Sequence, residues 1–92
     1  MEITGYTYHK LNDPTGIMLG DRYEFLLDVE VDEDDELYVP GGLEVRAILA
    51  VEETGARIAQ YTITEKLSNK VLEFGLEEDE EEQVLAFCQN QL

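Results

Sequence analysis

Arg22-Tyr23-Glu24-Phe25-Leu26-Leu27-Asp28-Val29-Glu30-Val31 is the stretch that decides the fold. Tyr23, Phe25, Leu27, Val29 and Val31 take every second position, and Glu24, Leu26, Asp28 and Glu30 fill the gaps. Successive side chains of a strand point to opposite faces, so one face is apolar and the other mostly acidic. An antiparallel strand with one side on a core and the other in water reads this way. Residues 43–52 repeat the pattern, with Leu43, Val45, Ala47, Leu49 and Val51 on one side and Glu44, Arg46, Ile48, Ala50 and Glu52 on the other.

Outward from these two segments, residues 2–11 predict a first strand through Ile3, Tyr6, Thr7 and Tyr8, although their alternation is imperfect. Asn12-Asp13-Pro14-Thr15-Gly16 reads as a turn, with Pro14 fixing φ and Gly16 supplying backbone freedom. Asp32-Glu33-Asp34-Asp35-Glu36 ends the second strand, and Pro40-Gly41-Gly42 makes a further break. A fourth strand is expected over 57–66, with Ala59, Tyr61 and Ile63 facing one way. A fifth is expected over 70–76, with Leu72, Phe74 and Leu76 inward. Short connections make neighbouring strands antiparallel, because a parallel crossover needs about a dozen residues.

After Leu76 the period changes. Asp79 is the expected helix N-cap and Glu82 its capping-box partner. Val84, Leu85, Phe87, Cys88 and Leu92 then recur at helical spacing. The fold expected is α+β: one domain over 1–92, a meander-like antiparallel sheet of about five strands packed by one C-terminal helix. Its expected core is Tyr23, Phe25, Leu27, Val29, Val45, Ala47, Leu49, Ile63, Phe74, Val84, Phe87 and Cys88. A helix about 20 Å long and 10 Å wide cannot cover a sheet about 24 Å across. The sheet must curl, or 17–19 and 37–39 must fill the gap.

The charge is extreme. Among 92 residues, 22 Asp and Glu face 6 Lys and Arg, for a net charge of −16. Such a field repels phosphate backbones and anionic membranes, which excludes both as expected partners. It favours a basic protein as the partner. Cys88 is the single cysteine, so an internal disulfide is impossible, and no signal-peptide pattern opens the chain. The expected setting is the cytoplasm, and the expected state a monomer or weak homodimer.

No segment carries a catalytic, metal or cofactor signature. Asp32, Asp34 and Glu36 have calcium-loop spacing, but Leu37 stands where such a loop needs Gly and Leu43 where it needs Glu. Cys88 and His9 are the one thiol–base pair that can be drawn, yet Cys88 falls on the apolar helical stripe. Tyr6, Tyr8, Leu26 and Ile48 would make a small apolar patch if they adjoin. The candidate partner contacts are therefore the two acidic runs: Asp34, Asp35 and Glu36, and Glu77, Glu78, Glu80 and Glu81. The leading functional expectation is a non-enzymatic protein-binding or regulatory module. The alternatives are a small enzyme or enzyme subunit with a hidden site, and a nucleic-acid mimic that binds a basic protein.

Met1-Glu2-Ile3-Thr4-Gly5-Tyr6, Asp13-Pro14-Thr15-Gly16-Ile17, Arg22-Tyr23-Glu24-Phe25, Asp34-Asp35-Glu36-Leu37-Tyr38 and Leu85-Ala86-Phe87-Cys88 follow one another along the chain. Together they resemble an uncharacterised family of small acidic proteins from Bacillus-type bacteria. The resemblance implies a bacterial cytoplasmic protein of unknown function and carries no site residues.

Overall fold

In the computed structural model, which describes residues 1–11, 20–35, 38–73 and 75–92, the strands follow one another across a single antiparallel sheet. β1 is Glu2–Leu11, β2 Asp21–Glu30, β3 Leu43–Glu52, β4 Gly55–Glu65 and β5 Val71–Leu72, in the spatial order β1-β2-β3-β4-β5. The helix α1, Glu78–Gln91, lies on one face. The α+β meander read from the alternating segments is the fold observed.

The core forms where the apolar faces of β2 and β3 meet the helix. Phe25, Leu27, Val29, Leu43, Val45, Ala47, Leu49 and Ile63 are buried against Val84 and Cys88 of α1. Tyr23 and Phe87, expected fully inside, are half-buried because they sit at the rim of this cluster. Phe74 lies outside the described residues. Val39 packs on the core rim while Tyr38 stays exposed, so of segment 37–39 Val39 contributes cover. Residues 17–19 and Leu37 lie outside the described residues.

Two β-bulges set which side chains point inward. In β1 the register jumps between Ile3 and Gly5, so Ile3 opposes Val29 while Tyr6 opposes Leu27 and Tyr8 opposes Phe25. The extra residue, Thr4, lets odd-numbered Ile3 share a face with even-numbered Tyr6 and Tyr8, which explains the imperfect alternation. In β4 the register jumps opposite Ile48/Leu49, so Ile58 opposes Leu49. Ala59, expected inward, is exposed, and Ile58 packs on the core instead.

The fifth strand is shorter than the 70–76 expected. Gly75 comes so close to β4 that an added Cβ would stand 2.9 Å from the Tyr61 hydroxyl. That hydroxyl accepts the Leu76 backbone N–H at 2.8 Å, and Leu76 is buried. The chain thus leaves the sheet edge after Leu72 to cross onto the core face. Leu76, once anchored, also fixes where the helix starts. The N-cap is Glu77, not Asp79, and the Glu80 carboxylate, not that of Glu82, accepts the Glu77 backbone N–H at 3.0 Å.

The helix is tied to β1 along its length. The Gln83 amide donates to the Met1 carbonyl at 2.9 Å, Phe87 meets Tyr6 edge-on at 5.2 Å, and the Tyr8 hydroxyl donates to the Gln91 carbonyl at 2.9 Å. Tyr8 also stacks on Phe25 at 4.8 Å. Tyr6 and Tyr8 therefore belong to the helix-bearing face. Leu26 and Ile48 lie on the other, so the four-residue apolar patch does not form.

Candidate functional acidic end

Strand register brings distant acids to one end of the sheet. Glu2, at the start of β1, opposes Glu30, at the end of β2, and Leu43, at the start of β3, opposes Glu65, at the end of β4. The Asp32–Asp35 segment leaves β2 from this end. The helix begins here too, since Gln83 in its second turn reaches the Met1 carbonyl. Both acidic runs therefore emerge at the same end of a molecule 42 Å long.

Their local roles differ. Asp32, Glu33 and Asp34 are exposed on a turn closed by the Asp35 N–H to the Asp32 carbonyl at 2.9 Å. Asp35 is half-buried, and its carbonyl accepts the Tyr38 N–H at 3.0 Å. Glu36 lies outside the described residues. In the second run Glu77 and Glu80 are engaged in capping the helix, whereas Glu78, Asp79 and Glu82 are exposed. Glu81 is half-buried. Acids in a first helical turn meet the positive end of the helix dipole, which holds their charge there at little cost.

Among the described residues, no three His, Cys, Asp or Glu side chains come together as metal ligands would. An open groove of about 340 Å³ borders the acidic end, lined by Glu30, Val31, Tyr38, Val39, Gly41, Gly42 and Leu43. Its side chains offer one carboxylate and one phenol.

The chain belongs to a family of unknown function, DUF6509. The family model matches residues 1–92. No curated protein and no solved structure matches the chain. Family membership thus assigns no residue a role, and the chemistry has to be read from the side chains themselves.

A constellation not singled out in the sequence lies on the face away from the helix. Glu24, with 16% of its side chain exposed, accepts the Arg46 Nε–H on Oε2 at 2.6 Å, and His9 Nε2 lies 3.6 Å from Oε1. These residues come from β2, β3 and β1, and only the cross-strand register aligns them: His9 opposes Glu24, and Arg46 opposes Leu26 one diagonal step away. His9 and Cys88 lie on opposite faces, so they do not form a pair. Cys88 is fully buried, and burial pushes its thiol up from 9.0 to about 12, so at neutral pH it is protonated and not a nucleophile.

Three of the six basic residues, Lys10, Arg22 and Arg57, sit at the end opposite the acidic one. Arg22 opposes Leu11 and Ala50, and Ala50 opposes Arg57, all at the far end of the sheet. Lys10 there meets Asp21 at 3.3 Å. At the acidic end Lys66 is held by Asp28 at 2.8 Å. Among the described residues, no helix is long and apolar enough to cross a membrane.

Proposed function

We propose that this chain is a single-domain, non-enzymatic binding module whose acidic end docks on a basic surface of another protein. The observation that supports it is the convergence of the Asp32–Asp35 turn and the first turn of α1 at one end of the sheet, with three of the six basic residues, Lys10, Arg22 and Arg57, at the other. Charge gathered in one place raises the rate of encounter with an opposite charge far more than the same charge spread evenly. The expected setting is the bacterial cytoplasm, on the resemblance and the lone cysteine.

The test neutralises acids of both runs that take no part in the helix cap and leaves that cap intact. One variant carries Glu78→Gln, Asp79→Asn, Glu81→Gln and Glu82→Gln; another carries Asp32→Asn, Glu33→Gln and Asp34→Asn. A pull-down at low and high salt names the partner, and stopped-flow mixing then gives association rates. Both variants should associate more slowly and with a shallower salt dependence than the native chain. Rates and salt slopes equal to the native ones would show that the acidity serves solubility alone.

A further inference from the structure

We propose that two copies of this chain associate through β1, edge to edge and antiparallel, in a weak dimer centred on Tyr8. β1 is the outer strand of the sheet, and among the described residues nothing pairs with its free side. An unpaired strand edge is a template for another strand unless the sequence guards it. The other side of the sheet is guarded: β5 covers Ile63 and Thr64, and the bulge at Ala59 interrupts the rest of β4. β1 carries its bulge at Thr4, which leaves Gly5 to Leu11 regular.

The charge pattern selects a second copy as the occupant. Residues 3–11, Ile3-Thr4-Gly5-Tyr6-Thr7-Tyr8-His9-Lys10-Leu11, hold no Asp or Glu in a chain that carries 22 of them. Repulsion between two copies arises instead at the acidic ends, where β1 begins. Antiparallel pairing sends those ends in opposite directions. With Tyr8 at the centre and Glu2 six residues away on each side, the ends stand about 40 Å apart at 3.3 Å per residue. That is several Debye lengths of ~8–10 Å, so their repulsion is screened.

The register follows from the faces. Tyr6, Tyr8 and Lys10 share the helix-bearing face; Gly5, Thr7, His9 and Leu11 share the other. Pairing about Tyr8 sets Gly5 against Leu11, Tyr6 against Lys10 and Thr7 against His9 of the second copy, and every pair matches in face. It uses the whole regular run and avoids the bulge. Tyr6 and Tyr8, 44% and 41% exposed and stacked at 6.3 Å, would continue into the same two rings of the second copy.

Sedimentation equilibrium of the full chain, from micromolar to about 1 mM, reads the dimer directly. Thr7→Lys with His9→Lys sets like charges opposite each other twice; an ammonium at position 9 still faces Glu24, so circular dichroism should be unchanged. This variant should dimerise about tenfold more weakly than the native chain, whereas Thr7→Glu with His9→Lys should dimerise at least as well. Hydrogen exchange in residues 5–11 should slow with concentration. A mass that stays monomeric throughout, or a dimer indifferent to both pairs of substitutions, would overturn the proposal.

Discussion

At the scale of single residues, two side chains carry sharp expectations. Phe87 is half-buried and edge-on to Tyr6, so Phe87→Ala should destabilise by about 2 kcal/mol, roughly half the usual figure for a fully buried phenylalanine. Urea unfolding checks this, and a change below about 0.5 kcal/mol would mean the helix end does not rest on Tyr6. Cys88 makes stability depend on pH. In the unfolded chain its thiol ionises near 9.0, while the folded chain keeps the proton to about 12. Above pH 9 the unfolded state therefore holds fewer protons, and stability falls as pH rises towards 12. The native chain should lose up to about 1.4 kcal/mol per pH unit there relative to Cys88→Ala. Parallel unfolding curves at pH 8 and pH ~11 for both proteins would exclude this thiol as the cause.

At the scale of elements, the helix start is the clearest test. Glu80→Ala removes the carboxylate that accepts the Glu77 N–H and should cost about 1 kcal/mol, whereas Asp79→Ala and Glu82→Ala should change stability by less than about 0.5 kcal/mol. Thermal melts that rank these variants the other way would move the cap back to Asp79. Gly20, which leads into β2, has φ +70°, and the Val51 carbonyl stands where a Cβ would go. Gly20→Ala should therefore cost more than about 1–2 kcal/mol, measured by the same melts. The strands β2 and β3 were legible because apolar residues take every second position through each, even though Ile48 and Ala50 on the other face of β3 are buried as well. Asp79 looked like the cap because local pattern alone ranks Asp above Glu; the long-range anchoring of Leu76 by Tyr61 decided otherwise. The inward turn of Ile58 was hidden for a similar reason: a bulge depends on the partner strand, which one segment cannot display. The acidic runs were visible as composition, but their meeting at one end follows from register, as does the His9–Glu24–Arg46 cluster.

At the scale of the whole molecule, charge bears on stability. With a net charge of −16, the folded chain repels itself more than the expanded chain does. Adding about 0.15 M salt should raise the melting temperature, because screening acts within ~8 Å. Calcium and magnesium at equal ionic strength should raise it alike. A saturable calcium effect at micromolar concentration would reveal a specific site in the 32–36 run. The crowding of acids at one end has a mechanical consequence as well. A body charged at one end turns like a compass needle in an uneven field. A single copy nearing a cationic surface would be rotated acidic end first before any contact forms. Two copies joined antiparallel have no such needle, since their opposed poles cancel the turning moment while the net charge doubles. Pairing would thus trade orientation for pull, and dielectric relaxation, which measures that moment, would register the exchange as a signal that fades with concentration.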